Sequence, residues 1–216
     1  MNMPASPITI GKPLSHPTAI GAVFLLWLSY TAIQTLTVTG HIPEAMSAVL
    51  SLVPGILGVL MLAAAGFARE LLFLRMAPLS WKGFMVLAGV FLFALSAILP
   101  FGAWQGWNWM AALVYAPASG VAQELFFRSA LLPAFLLILK ERSSLALLLH
   151  ALLFGLWHIG PLFLGAPVWA VLAVMLVPFV SGIGWGWQVM HDRTVYWAMV
   201  QHTLIWVIAG QFPMPA

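Results

Sequence analysis

The stretch Gln123-Glu124-Leu125-Phe126-Phe127-Arg128 sets a carboxylate and a guanidinium in the middle of a long apolar run. The composition around it decides what that means. Of 216 residues, 63% are hydrophobic and only 6% charged, and the mean hydropathy is +1.04. A soluble domain carries about a quarter charged residues, so this chain reads as an integral membrane protein made of several helices. At membrane depth an ionisable side chain costs about 2.5 kcal/mol or more, and for that reason marks a functional site by default. Glu124 and Arg128 lie four residues apart, on one helical face and in reach of each other. The same spacing also suits a structural pair that neutralises itself and fixes helix packing.

Outward from this stretch, seven apolar runs cover about 18–38, 45–67, 83–99, 110–138, 144–159, 168–189 and 194–208. The expected fold is an all-α, polytopic transmembrane helix bundle of about seven spans. Residues 1–17 form a polar, Pro-rich segment, and 18–216 form a single transmembrane domain. The first run is longer than a signal-peptide core and is expected to be retained. The fourth run is expected to break near Pro117 to Gly120, because proline and glycine interrupt it there. Lys12 precedes the first run; Arg69, Arg75 and Lys82 follow the second; Lys140 and Arg142 follow the fourth; Arg193 follows the sixth. The alternate loops and the carboxyl tail carry no Lys or Arg. The positive-inside rule therefore places the amino terminus inside and the carboxyl terminus outside. Trp104, Trp107 and Trp109 form an aromatic belt at the outer interface. A net charge of +3, from scattered basic residues, gives no footprint for nucleic acid, and the absence of cysteine excludes disulfides and a thiol nucleophile.

Two histidines in other runs change the weight of the opening stretch. Glu124 lies sixteen residues before Lys140, roughly 24 Å from the inner boundary. His158, counted from Ser144, lies roughly 21 Å from the same boundary. His202, counted from Thr194, reaches only roughly 12 Å, which requires tilted helices or a misplaced boundary. A carboxylate and two imidazoles from three runs thus converge on one polar cavity, opening toward the outer face. His150 shares the helical face of Phe154 and His158; a hydrogen-bonded structural role outweighs a proton-path role there. Ser119-Gly120 and Ser181-Gly182 resemble serine sites, but Pro117 stands where a Gly-x-Ser-Gly motif needs its first glycine. His-Glu-x-x-His is absent. Glu124, His158 and His202 also make a two-His, one-carboxylate set of the kind that binds zinc.

The ordered trio Gln123-Glu124-x-x-x-Arg128, Phe154-x-x-x-His158 and His202-x-x-x-Trp206 resembles the CPBP family of intramembrane glutamic endopeptidases. That family includes the CAAX prenyl endopeptidase and bacteriocin-processing or immunity proteins. It shows Glu-Glu-x-x-x-Arg, Phe-x-x-x-His and His-x-x-x-Asn/Asp in that order. The similarity covers about Val121 to Trp206, with a family-like core of about 110–210. It implies peptide hydrolysis without metal or cofactor. A glutamate and the second-motif histidine activate water, and the third-motif histidine with its partner stabilises the oxyanion. Two positions depart from the pattern. Gln123 stands at the family's first, catalytic glutamate, and Trp206 stands at its Asn/Asp.

The resemblance assigns Glu124, His158, His202, Gln123 and Arg128 to the site, with a peptide or protein substrate, membrane-associated or lipid-modified, in a prokaryotic plasma membrane. Two readings of Gln123 stay open. In one, Glu124 is the working base and the Gln123 amide supplies a hydrogen-bond donor. In the other, the chain is a degenerate scaffold that keeps the site and has lost the chemistry. A small transporter using Glu124 and Arg128 as a charge relay is a third class. The charge pattern makes one direct prediction: a reporter fused after Ala216 is active outside the cytoplasm, and cytoplasmic activity there would overturn the inside-to-outside order of spans.

Overall fold

In the computed structural model, residues 15–140 and 142–212 are described. They form seven helices among the described residues, and no strand. These are α1 (His16–Val38), α2 (Glu44–Ala64), α3 (Trp81–Ile98), α4 (Ala111–Leu139), α5 (Ser143–Leu156), α6 (Val168–Asp192) and α7 (Tyr196–Ala209). The first six segments, with α5 extended through a 3-10 turn to Leu164, are long and apolar enough to cross a membrane. The seventh apolar run is helical too, but α7 has 14 residues. At 1.5 Å per residue it is about 21 Å long, short of a hydrocarbon core of about 30 Å. Most of the polar segment 1–17 lies outside the described residues, as do Glu141 and the last four positions. Its end belongs to α1: Ser15 caps that helix by accepting from the Thr18 N–H, and Pro17 fits its first turn, where no N–H partner is needed.

The fourth run does not break. Pro117 and Pro133 lie inside one continuous helix, and each is preceded by a π-helical turn, at Ala111–Tyr115 and Phe127–Leu131. A proline has no N–H and its ring crowds the carbonyl four residues back. The wider π turn re-registers that carbonyl and lets the helix continue. In place of the expected break at Pro117 to Gly120 there are two local widenings, and the second runs through Arg128.

Helix α4 is the centre of the bundle. Of its most apolar stretch 72% is buried, against 39% at most for any other span. Every residue from Phe126 to Phe135 is buried, whereas Pro117, Ala118, Ser119 and Val121, in the turns before Glu124, are half-buried. Small residues bring neighbours close, as expected where lipid gives no hydrophobic drive between helices. A methyl added at Gly58 of α2 would lie 2.8 Å from Ala130 Cβ. One added at Gly120 of α4 would lie 2.8 Å from the Thr203 backbone nitrogen and 3.0 Å from its Cα. This crossing presses α7 onto α4 one residue from His202. Just past the end of α7, Gln211 fastens the segment that leads into α4, its side-chain oxygen accepting from the Asn108 N–H at 2.6 Å and its carbonyl from the Gln105 N–H at 3.4 Å.

The turn between α6 and α7 is roofed by the rest of the chain. Thr194 and Val195 are fully buried, and the segment 65–80 closes over them. The Val195 N–H donates to the Phe73 carbonyl at 3.0 Å, the Tyr196 hydroxyl to Leu74 at 3.2 Å and the Trp197 indole to Ala77 at 2.9 Å. Leu72 and Phe73 are themselves buried. His202 reaches Glu124 directly, so the depth mismatch expected from counting from Thr194 is absent. Trp104, Trp107 and Trp109 are all exposed in the loop before α4, in keeping with the interfacial belt.

The Gly120 crossing is testable. Gly120→Ala forces backbone against backbone and is expected to destabilise the protein by about 1–3 kcal/mol, as overpacking does. Gly89→Ala, which meets nothing within 4 Å, should leave thermal unfolding in detergent unchanged or slightly improved. Equal unfolding temperatures for the two variants would refute the close approach.

Candidate active site

Glu124 and Arg128 are both fully buried, one turn apart on α4, with Arg128 Nη1 3.1 Å from Glu124 Oε1. His202 of α7 reaches the same oxygen, Nδ1 to Oε1 at 2.8 Å. The Trp206 indole N–H donates to His202 Nε2 at 3.0 Å. An imidazole that accepts at Nε2 carries its proton on Nδ1, so the pair of contacts fixes the tautomer that donates to the carboxylate. Trp185 of α6 stacks on the His202 ring, 4.4 Å between centroids at 24°. Trp185 is held in turn: its indole donates to Gln201 Oε1 at 2.7 Å, and Gln201 Nε2 donates to the Leu87 carbonyl at 2.7 Å.

Arg128 is solvated by rings. Its guanidinium carbon lies 4.3 Å from the centroid of Phe154 and 5.1 Å from that of Trp185. Desolvated cation–π contacts of this kind contribute about 2 kcal/mol each. Beyond the ion pair with Glu124, its nitrogens have no hydrogen-bond partner among the described residues. Arg128 is thus a full positive charge whose single counter-ion is Glu124.

His158 follows the end of α5 and is half-buried. Its Nδ1 lies 3.0 Å from the Phe154 carbonyl, a bond that puts the proton on Nδ1 and leaves Nε2 with its lone pair. His158 and His202 both meet the Phe154 ring edge-on, at 5.4 and 6.1 Å. Phe154 is thus a shared neighbour of the two imidazoles, and among the described residues His158 makes no hydrogen bond to Glu124. Gln123 is buried, with its side-chain oxygen unpartnered among the described residues, as is Glu124 Oε2. His150 is fully buried and its Nδ1 bonds to the Leu147 carbonyl at 3.2 Å, which is the structural role. Among the described residues no three His, Asp or Glu side chains cluster closely enough to hold a metal ion. The two-His, one-carboxylate set is therefore not assembled among the described residues.

The converging polar cavity expected from the sequence is instead a packed centre. Glu124, Arg128 and His202 come together, and Trp206 joins them; His158 stands one ring away. Sequence reasoning missed Trp185 and Gln201. Their spacing from each other carries no periodic signal, since they meet only through the α6–α7 turn.

An all-helical membrane bundle with a buried carboxylate, guanidinium and imidazole at its centre defines an integral membrane protein with an intramembrane ionisable site. Residues 104–208 match the model of the Rce1-like family, described as Type II CAAX prenyl endopeptidase Rce1-like. The match agrees with the resemblance to CPBP endopeptidases read from the three motifs. No curated protein and no solved structure matches the chain.

Removing one partner of a buried ion pair leaves the other charge uncompensated, at a cost of about 3–5 kcal/mol. Arg128→Met should lower stability by about that much, and the double variant Arg128→Met/Glu124→Gln should recover most of it. Additive losses, measured by denaturation in detergent, would show that the two residues do not act as a pair.

Proposed function

We propose that the chain is an intramembrane endopeptidase that hydrolyses a peptide bond of a membrane-associated or lipid-anchored protein, with Glu124 as the base. The observation that carries this reading is the division of labour within one carboxylate. Oε1 is held by His202 and Arg128, while Oε2 has no partner among the described residues. An oxygen fixed on one side and free on the other suits proton abstraction from water. The charge on Arg128 balances the carboxylate in a site that excludes solvent, and His202 sets its orientation.

In the proposed reaction Oε2 takes a proton from water as the water oxygen bonds to the scissile carbonyl carbon. The lone pair on His158 Nε2 assists as a second acceptor. The Gln123 amide donates to the developing oxyanion, in the role the family gives to its third motif; here His202 Nε2 is occupied by Trp206 and not available for it. The C–N bond then breaks and the proton passes to the leaving nitrogen. Half-buried His158 and the half-buried residues 117–119 and 121 of α4 support entry from the outer half of the membrane, taken here as a prokaryotic plasma membrane. Gln123 at the family's base position favours the competing reading of a scaffold without chemistry.

Three proteins on one cleavable membrane-anchored reporter in liposomes separate the readings. Wild type should cleave, Glu124→Gln should lose at least about 100-fold, the lower end of a general base's contribution, and Gln123→Glu should give no gain. An inactive wild type rescued by Gln123→Glu establishes the scaffold reading. Full activity in Glu124→Gln ends the assignment of the base.

A further inference from the structure

Trp185 of α6 touches both groups that hold Glu124 Oε1. Its ring stacks on His202 at 4.4 Å and lies 5.1 Å from the Arg128 guanidinium carbon. Its indole N–H is accepted by Gln201 Oε1 of α7 at 2.7 Å, and Gln201 Nε2 donates to the Leu87 carbonyl of α3 at 2.7 Å. An indole nitrogen only donates and a carbonyl only accepts, so one orientation of the Gln201 amide serves both. Trp185 and Leu87 are buried, and Gln201 is half-buried. A buried indole needs an acceptor, but a backbone carbonyl is enough, as Leu153 is for Trp27 and Tyr30 is for Trp157. At Trp185 the acceptor is instead a side chain braced on a third helix.

The brace is not needed to satisfy α3. Leu87 lies in the middle of that helix, where each carbonyl already accepts from the N–H four residues on. The bond therefore acts on Gln201 itself, holding its amide with the oxygen turned to Trp185. Close packing brings the helices to this point: a methyl added at Gly184, one residue before Trp185, would collide with Val90 of α3. Phe154 is another ring against the same two groups, 4.3 Å from the Arg128 guanidinium carbon and 6.1 Å from His202. It has no polar atom to fix its angle. Trp185 has one, and Gln201 holds it.

We infer that Gln201 is a positioning residue for the site: it locks the Trp185 ring against His202 and Arg128, and so fixes the two partners of the Glu124 carboxylate. The catalytic consequence rests on Glu124 as the working base; the lock itself does not. Oε2 is untouched by this arrangement and stays free for water. Leu87 lies outside residues 104–208, so the site is braced from a helix that the family match does not reach.

The test is Gln201→Met, which keeps the length of the side chain and removes both polar ends. Histidine NMR spectra of the full chain in nanodiscs, with the His202 signal identified by its loss in His202→Gln, read the lock through the ring-current shift of the stacked indole. The His202 signal should move in Gln201→Met. With Trp185→Phe already in place there is no indole N–H to hold, and adding Gln201→Met should move the signal no further. Cleavage of the reporter by Gln201→Met should show kcat lowered about tenfold with KM unchanged. A His202 signal at the wild-type position in Gln201→Met overturns the inference, whatever the activity. A moved signal with wild-type kcat in a protein that cleaves overturns it as well, because the ring is then released without consequence. A moved signal in a protein that never cleaves leaves the lock standing and removes the endopeptidase reading instead. If Gln201→Met does not fold, Gln201→Asn, one methylene too short to reach both partners, decides by the same signal: a shift supports the lock and no shift rejects it.

Discussion

A guanidinium with no access to water and one carboxylate for a counter-ion is the constraint that organises this bundle. The full charge on Arg128 is tolerable in a membrane interior only because Glu124 lies one turn away and because two aromatic faces replace its lost hydration. That arrangement reserves positions on three other helices. Phe154 must come from α5 and Trp185 from α6, and His202 must arrive from α7 to share the carboxylate. Gly120 must be small for α7 to come near enough. The π turn through Arg128 sits where the helix must both carry this charge and run on into Pro133.

The family match and the site geometry carry different parts of the functional reading. The match covers 104–208, so it accounts for α4 to α7 and the protease class. It is silent on α1 and α2, which supply the packing against the back of α4. The departure at Gln123 has a geometric counterpart: Glu124, not position 123, meets His202 and Arg128. In this chain the ion pair, the imidazole and the free carboxylate oxygen all belong to the second acidic position of the motif.

Much of this was legible in the sequence, because bilayers restrict what a helix can be. Apolar runs of sufficient length gave six spans and the short α7, and the four-residue spacing placed Glu124 and Arg128 on one face. The depth of His202 was not legible: segment 65–80 has enough charge to read as a polar loop, yet buries Leu72 and Phe73 and roofs the α6–α7 turn. Pro117 misled for a related reason, since a proline signals a break unless the preceding turn can widen, and turn width leaves no mark in composition. Trp185 reads as one among many membrane aromatics. What distinguishes it is a stacking partner, set by tertiary packing.

The shortness of α7 bears on the lipid around it. Its outward side chains, Val200, Leu204 and Trp206, are exposed on the bundle's flank, where a helix of about 21 Å faces a hydrocarbon layer of about 30 Å. Acyl chains beside it must compress or tilt to match, which draws the headgroup region toward the middle of the bilayer on this flank alone. His202 sits at the centre of that helix, so a bilayer drawn in to match α7 is drawn in beside the buried carboxylate. A bilayer of longer-chain lipids opposes that compression, which couples the hydration of this side of the protein to membrane thickness.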